Sequence, residues 1–334
     1  MSSIIKAALA AVMGATMLSG AVSQAQAQNV VWRFGHENQA TVPAGKAVDM
    51  LAALVAARSN GRFKIDVFPA AQLGKEAQLI EQVQLGTLEM MFTPTAPLSK
   101  FEPKLQVIDL PFLFPDRPTA YKVLDGEIGQ KLLDGMGQKG FKAIAFWESG
   151  FKQLTTSGSP IHSLADLKGL KIRTMQSPLL IAQYESWGAS PIPISFTETY
   201  NALQQGIAQA QENPLTSINA MRFYEVQKSL TLSNHGYTAM MPLINIDKYE
   251  SLPADLRDVL EGAMKDTRTW LRAENQRIDE QLLEKMSATL QIVRLTPEER
   301  TGFIKAAREF HKSYADRVGP DTLAAIYAVV DGAQ

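Results

Sequence analysis

Residues 171–214 read KIRTMQSPLLIAQYESWGASPIPISFTETYNALQQGIAQAQENP, and this stretch carries the pattern that decides the fold. Short runs with strand character alternate here with segments of helical character. The predicted strands are Lys171–Thr174, Pro191–Ile194 and Ile207–Gln211, and the predicted helices between them are Leu179–Trp187 and Thr197–Gln205. Short strands that alternate with helices indicate α/β domains with mostly parallel sheets.

The same alternation covers the preceding part of the chain. The predicted strands there are Val30–Phe34, Phe63–Phe68, Leu88–Phe92 and Phe141–Phe146, and the predicted helices are Gly45–Ser59, Glu76–Leu85 and Ala120–Leu133. The chain has 334 residues. At roughly 100–200 residues per domain, this length predicts two α/β domains.

The pattern changes after Pro253, where one long helix is predicted. From Ala254 to Ser287 the only helix breaker is Gly262. A helix of about 30 residues is ~45 Å long, which exceeds one small domain, so we expect it to run across both. The sequence Thr296-Pro297-Glu298-Glu299 is a capping box that opens a further helix.

The composition excludes several functional classes. The chain carries 33 Lys and Arg against 34 Asp and Glu, which gives a net charge of −1. A balance this close to neutral argues against nucleic acid and against an anionic membrane surface as partners. The absence of cysteine rules out disulfides, thiolate catalysis and Cys-ligated zinc.

Residues 1–27 have the composition of a secretory signal peptide. Lys6 precedes a short apolar run, and small and polar residues then lead to Ala25-Gln26-Ala27. The alternative is a membrane-spanning helix, but a span needs ~20 apolar residues and this run is shorter. We therefore expect cleavage after Ala27, export to the periplasm and a mature protein without a lipid anchor.

The sequence gives no support for a known catalytic or cofactor-binding motif. Residues 135–140, GMGQKG, match G-x-G-x-x-G, but a helix precedes them and a strand follows, which is the reverse of a dinucleotide fingerprint. We interpret them as a helix end and a turn. No two of the four histidines have metal-ligand spacing, so no metal site is predicted. His36 and His235 follow predicted strands, whereas His162 and His311 lie in polar surroundings that indicate the surface.

Polar residues at strand ends form a candidate binding site. Arg173 closes one predicted strand, Asn213 follows another, and Lys152 and Gln153 lie beyond the strand Phe141–Phe146. Strand ends are where α/β domains bind ligands, and a guanidinium can donate two parallel hydrogen bonds to a carboxylate. From the residues alone, an arginine in this position is more often a solvated charge or a salt-bridge partner than a ligand contact.

Several motifs, taken together and in order, resemble one protein family. They are Phe34-Gly35-His36, Pro69-Ala70-Ala71-Gln72-Leu73-Gly74, Leu110-Pro111-Phe112-Leu113-Phe114, Lys171-Ile172-Arg173 with Ser177-Pro178-Leu179, Tyr200-Asn201-Ala202-Leu203-Gln204-Gln205-Gly206, and Gln211-Glu212-Asn213-Pro214. The chain thereby resembles the DctP-type substrate-binding proteins of tripartite ATP-independent periplasmic (TRAP) transporters. The resemblance covers nearly all of the chain after residue 27.

The resemblance implies an α/β fold of two domains that close on a ligand like a clamshell, with crossing strands and a long domain-spanning helix. We expect residues 28–150 plus 239–278 to form domain I and residues 151–238 plus 279–334 to form domain II. Neither a cofactor nor a metal is implied.

The resemblance also implies a set of ligand-binding residues. Arg173 matches the arginine that grips the ligand carboxylate, Asn213 matches an asparagine that assists it, and Phe196 matches an aromatic that packs on the ligand. Lys152 matches a second basic residue that is usually arginine, so a bidentate contact is not expected there, and we place its ammonium near the rim of the cleft. The variable pocket wall is expected to include Glu37, Gln72, Thr93 with the following Pro94 and Thr95, and Tyr237.

The implied function is capture of an organic acid in the periplasm and its delivery to the TRAP membrane permease by a monomeric, non-enzymatic protein. Two alternatives are a ligand-binding component that signals to a sensor kinase and, with less support, a periplasmic enzyme. A carboxylate at Glu37 would suit a ligand hydroxyl or amine, although Glu37 could equally be a surface residue.

Overall fold

The structure is a computed structural model that describes residues 29–332. The predicted signal peptide, residues 1–27, lies outside the described residues. The strands in the described part are β1 Val30–Gly35, β2 Phe63–Phe68, β3 Met90–Pro94, β4 Phe141–Ala143, β5 Trp147–Thr156, β6 Lys171–Thr174, β7 Ser190–Pro193, β8 Ala210–Asn213, β9 Ser229–Asn245 and β10 Gln291–Arg294.

The α-helices in the same range include one that is much longer than the rest. They are α1 Pro43–Arg58, α2 Glu76–Gln84, α3 Arg117–Leu124, α4 Glu127–Gly135, α5 Pro178–Ser186, α6 Thr199–Gln204, α7 Leu215–Ala220, α8 Ile246–Glu250, α9 Ala254–Ser287, α10 Pro297–Val318 and α11 Pro320–Asp331. Within residues 29–332, none of these helices contains a stretch that is both long and apolar enough to cross a membrane.

All ten strands belong to one continuous sheet. Its main order is β2-β1-β3-β9-β5-β8-β6-β7, and β4 and β10 pair with β9 outside this path. The strands β1, β2 and β3 are parallel to one another, as are β6, β7 and β8. We call the parts of the molecule built on these two parallel groups the first lobe and the second lobe. The predicted α/β fold is confirmed.

The antiparallel strands β5 and β9 join the two lobes. Near its end β9 pairs with β3 and β4 in the first lobe, and near its start it pairs with β10 and the end of β5 in the second. The register between β5 and β9 shifts twice, between Glu148 and Gly150 and between Lys152 and Leu154. Gly150 has φ +125°, a conformation that favours glycine. The two crossing strands are therefore irregular at the lobe junction.

Separate hydrophobic cores lie on opposite faces of the sheet in the first lobe. Met90 and Phe92 of β3 pack with α1 and the first half of α9, whereas Met91 packs with α2, α3 and α4. This split follows from the two-residue period of a strand, which turns successive side chains to opposite faces. In the second lobe, Ile172 of β6 packs with α5 and Phe303 of α10.

The helix α9 has 34 residues and a length of ~51 Å. Leu260 and Leu271 lie in the first-lobe core with α1, and Met286 lies in a second-lobe core with Leu203 and Phe223. The predicted domain-spanning helix is confirmed.

The last two helices also contact both lobes. Phe303 of α10 is in a second-lobe core, whereas Tyr314 of the same helix packs in the first lobe. Leu323 and Ile326 of α11 pack against first-lobe residues that include Leu132 of α4. Residues 320–331 thus lie on the first lobe, although the sequence prediction grouped them with domain II.

Several local predictions need correction. The predicted helix Ala120–Leu133 is two helices, because Gly126 adopts an extended conformation and a Cβ there would lie 2.8 Å from the Lys122 carbonyl oxygen. The strand predicted to reach Phe146 ends at Ala143. The interpretation of residues 135–140 as a helix end and a turn is confirmed, since Gly135 ends α4 and Gly140 has φ +89°.

Two histidines differ from their predicted settings. His235 lies within β9 and not beyond a strand end. His311 is buried and not on the surface: its Nε2 lies 2.7 Å from the Pro111 carbonyl oxygen and its Nδ1 lies 2.5 Å from the Tyr327 hydroxyl.

Candidate ligand-binding site

A cavity lies between the lobes, where β5, β9 and α9 cross from one to the other. The first lobe contributes the loop after β1, the start of α1, α2 and β3, and the second contributes the ends of β6 and β8, the turn at Phe196 and α7. Its lining residues are Glu37, Asn38, Val42, Pro43, Ala44, Glu76, Leu79, Met91, Phe92, Pro94, Glu148, Ser149, Arg173, Met175, Phe196, Asn213, Thr216, Ser217, Ala220, Thr238, Met240 and Asn275.

Arg173 lies in β6 and directs a buried guanidinium at the cavity. The side chain is 1% exposed. Its Nε donates to the Ile194 carbonyl oxygen at 2.9 Å, and its Nη1 has no hydrogen-bond partner within residues 29–332. Burial lowers the pKa of Arg173 to about 10, against the opposing effect of the Glu76, Glu212 and Glu37 carboxylates. The group remains cationic at neutral pH and has donor capacity for an anion.

Asn213 and Phe196 flank Arg173 on the second lobe. Asn213 is the last residue of β8, which runs from Ala210 and not from Ile207 as predicted. Its Nδ2 donates to Gln211 Oε1 at 2.6 Å. Phe196 lies in a 3-10 turn and packs edge-on against Phe223, with ring centroids 6.3 Å apart. The cavity therefore brings together a cation, an amide and an aromatic face.

Two carboxyl groups from the first lobe face the same cavity. Glu37 Oε1 accepts a hydrogen bond from the backbone N–H of Glu76 at 3.0 Å, and Glu76 Oε1 accepts one from the Thr93 hydroxyl at 2.5 Å. Burial raises the pKa of Glu37, and burial together with the neighbouring Glu37 raises that of Glu76 to about 7. Arg173 opposes both shifts. Sequence reasoning missed Glu76, although its place at the start of a predicted helix just after the motif at 69–74 was a usable signal.

A third lining carboxylate, Glu148, is fully paired. Its Oε1 accepts from Arg117 Nε at 3.0 Å, and its Oε2 accepts from the hydroxyls of Tyr121 at 2.7 Å and Tyr237 at 2.8 Å. Asn275 of α9 donates to the Glu148 carbonyl oxygen at 2.8 Å, which ties the helix to β5. Glu148 is therefore engaged by the protein itself.

Five of the predicted site residues are not among those that line the cavity. Gln72 is exposed on the loop before α2. Thr93 is buried behind Glu76, and Tyr237 is buried behind Glu148. Of the predicted residues, the cavity brings together Glu37, Pro94, Arg173, Phe196 and Asn213, whereas Thr95 does not line it.

Lys152, the fifth, is buried and does not lie near the rim as predicted. Its Nζ donates to Glu212 Oε1 at 2.8 Å, while Glu212 Oε2 lies 2.9 Å from His235 Nε2 and accepts from the Tyr184 hydroxyl at 3.2 Å. Burial alone would raise the pKa of Glu212, but Lys152 and His235 outweigh it and hold it at about 2. The Lys152 charge is neutralised within the protein.

The cavity has polar and apolar lining residues and lies between two α/β lobes that are joined by crossing strands and a helix. This arrangement is the architecture of a two-lobed solute-binding protein. The family model for DctP, bacterial extracellular solute-binding protein family 7, matches residues 34–317. The chain belongs to this family, which consists of solute-binding proteins.

Relatives agree over nearly the full length. The C4-dicarboxylate-binding periplasmic protein DctP of Rhodobacter capsulatus is 35% identical over 327 residues, which are 96% of this chain and 97% of the relative. A TRAP periplasmic solute-binding protein from Sulfurospirillum deleyianum with bound succinate is 35% identical, with a TM-score of 0.86 over 90% of this chain and 99% of the other.

A second solved structure carries a different ligand. The sugar acid binding protein DctPAm from Advenella mimigardefordensis in complex with galactonate is 33% identical, with a TM-score of 0.89 over 92% of this chain and 99% of the other. Relatives of comparable similarity thus bind a dicarboxylate in one case and a hydroxylated monocarboxylate in another.

Proposed function

We propose that the protein captures a small organic acid outside the cytoplasm and delivers it to a TRAP-type membrane permease. The observation that carries this proposal is the Arg173 guanidinium, which is buried at the cavity between the lobes and has an Nη1 without a partner in the described part of the chain. A buried guanidinium nitrogen with an unsatisfied donor is costly, so the site favours an anionic ligand that accepts from it. The carboxylate ligands of the related structures support the same conclusion.

In this proposal each lining group has a defined role. Arg173 forms a charge-assisted hydrogen bond with the ligand carboxylate. Asn213 adds a polar contact from the adjacent strand β8, and Phe196 packs on the apolar part of the ligand. Because the cavity excludes bulk water, the ion pair is stronger there than it would be in solution.

Capture requires that the lobes separate to admit the ligand and close around it. The irregular registers of β5 and β9 at the lobe junction support a hinge there. The proposal includes export after cleavage of residues 1–27 and action as a monomer. Delivery to the permease follows from membership of the family.

The experiment is a thermal-shift screen of C4 to C6 carboxylates, followed by calorimetric titration of variants with the acid that stabilises the protein most. A ligand at a hundredfold excess over its Kd stabilises by ~2.7 kcal/mol. Failure of every organic acid to stabilise the protein would contradict the proposed function.

Arg173→Ala tests the site directly. Removing one partner of a buried charge pair costs ~3–5 kcal/mol, so we expect binding to weaken at least ~100-fold. Arg173→Lys should recover only part of the affinity, because the guanidinium geometry is lost. The control is Arg294→Ala, at the exposed end of β10, which should leave the Kd unchanged. Binding by Arg173→Ala within threefold of the parent would refute the assignment.

A further inference from the structure

The cavity carries an uneven set of charges. Of its lining residues, Arg173 is the only Lys or Arg, whereas Glu37, Glu76 and Glu148 are acidic. Glu148 is engaged by Arg117, Tyr121 and Tyr237. One cation and two carboxyl groups that are not paired with a protein cation are left to meet the ligand.

We propose that the ligand is a polyhydroxylated monocarboxylate, whose single carboxylate binds Arg173 and whose hydroxyl groups donate to Glu37 and Glu76. This inference rests on the proposed function and narrows the class of acid. Carboxylates are acceptors and need donors opposite them, and ligand hydroxyls supply these without adding charge.

A dicarboxylate fits the same charges poorly. Its second carboxylate would need a second cation. The second basic residue expected at the ligand from the sequence, Lys152, is buried in an ion pair with Glu212. Within the described residues, the lining offers that second carboxylate no further Lys or Arg, and Glu37 and Glu76 would repel it. An alkyl monocarboxylate would offer no donor to the second oxygen of either carboxyl group, since Glu37 and Glu76 each accept only one hydrogen bond from the described residues through Oε1.

The rest of the lining suits a hydroxylated chain. Thr238 Oγ1 is buried at the cavity without a hydrogen-bond partner in the described residues, and a hydroxyl can both donate to a ligand oxygen and accept from one. Ser149 and Ser217, whose hydroxyl oxygens lie 3.2 Å apart, add further donors and acceptors. Phe196, Met175 and Met240 supply apolar surface for C–H groups.

The test is a matched six-carbon series in calorimetric titration at pH 8, above the pKa of about 7 of Glu76, so that this carboxyl group is ionised. Gluconate and galactonate carry hydroxyls, adipate carries a second carboxylate, hexanoate carries neither and 6-aminohexanoate carries an ammonium. We expect at least one of the two aldonates to bind ~10-fold or more tightly than each of the other three acids. Tighter binding of adipate, hexanoate or 6-aminohexanoate than of both aldonates would overturn the inference.

Glu37→Gln and Glu76→Gln connect the preference to the two carboxyl groups. Hydrogen bonds to a charged group contribute enough to predict a ~10-fold loss of aldonate affinity in each variant, and repulsion of adipate should fall at the same time. The ratio of aldonate to adipate affinity should therefore drop. The control is Glu127→Gln, at the exposed start of α4, which should leave this ratio unchanged.

The outcomes separate the two proposals. If carboxylates bind through Arg173 but the ratio is the same in the parent, Glu37→Gln and Glu76→Gln, the inference fails and the proposed function stands. If no acid of any class binds the parent, the proposed function fails first. Equal unfolding midpoints of the ligand-free parent and variants would exclude misfolding as the cause of a lost preference.

Discussion

Arg173 and Lys152 both carry a positive charge and both are buried, but their charged groups differ in whether a protein carboxylate pairs with them. Arg173 has an Nη1 without a partner among the residues that the structure describes, whereas Lys152 is paired with Glu212. Both were candidates because they lie near predicted strand ends, and the family resemblance then assigned both to the ligand. The difference depends on Glu212, whose carboxylate could not be assigned to Lys152 before the register between β5 and β8 was known.

Asp109 is a buried carboxyl group that sequence reasoning did not identify. Its Oδ2 accepts from the Thr95 hydroxyl at 3.2 Å, and its Oδ1 has no partner among residues 29–332. Burial raises its pKa from 3.8 to about 7, the Glu212 carboxylate adds to the shift, and Lys152 opposes it. The folded state therefore binds a proton that the unfolded state releases between pH 3.8 and about 7.

Asp109→Asn should reveal this linkage. The contribution of Asp109 to stability is fully present below its unfolded pKa and is lost as the pH rises through about 7. From pH 5 to pH 8, the stability of Asp109→Asn relative to the parent should improve by about 2–3 kcal/mol. Urea denaturation of both proteins at the two pH values measures this change, and the difference between them cancels the titration of all other groups. A relative stability that is independent of pH would contradict the prediction.

At the scale of elements, the local patterns of the sequence predicted most of the structure. The strands Lys171–Thr174 and Phe63–Phe68 have the predicted bounds. The helix α9 covers Ala254–Ser287, the stretch in which Gly262 is the only helix breaker. These elements are encoded locally, by side-chain alternation or by the absence of breakers. Gly126 and the 17-residue length of β9 were missed, because the first depends on a backbone approach and the second on pairing with the four strands β3, β4, β5 and β10.

The candidate site was likewise predicted only in part. Glu37, Arg173, Phe196 and Asn213 line the cavity, as the resemblance implied. Arg173 and Asn213 belong to two of the motifs that carry the resemblance, and Glu37 directly follows a third. Gln72, Thr93 and Tyr237 do not, because the direction of a side chain on a loop or strand depends on its partners. The ligand roles of all these residues stay predictions.

The capping box at the start of α10 is a local feature that can be tested alone. The Thr296 side chain accepts from the Glu299 N–H at 3.2 Å, and the Glu299 side chain accepts from the Thr296 N–H at 2.7 Å. Thr296→Ala should lower the free energy of unfolding by ~1 kcal/mol. Thr301→Ala, one turn further along the exposed face, should not lower it. Equal losses in both variants by urea denaturation would show that the cap contributes nothing specific.

At the scale of the whole molecule, an ion pair joins the lobes across the cleft. Lys75 precedes α2 in the first lobe and its Nζ lies 2.6 Å from Oε1 of Glu198 in the second, with both side chains about half exposed. The division of the chain into two closing domains stays a proposal, and the packing of α11 is a reason to include residues 320–331 in the first of them.

Lys75→Ala should therefore weaken ligand binding only a few-fold, because exposed ion pairs contribute little and are screened by salt. The effect should be present in calorimetric titration at 50 mM salt and absent at ~500 mM, where the Debye length approaches 4 Å. Lys168→Ala, at an exposed position on the second lobe, is the control. A loss as large as that expected for Arg173→Ala would mean that the pair holds the closed state.

The position of β9 in the sheet also determines when the sheet can be completed during synthesis of the chain. β3 and β5 do not pair with each other, and both pair with β9, whose last residue is Asn245. During synthesis, a chain that ends before Ser229 would leave these two strands with unpaired edges, which are prone to aggregation. Contacts between residues so far apart in sequence also form slowly. The sheet therefore stays incomplete until more than two thirds of the chain has been made.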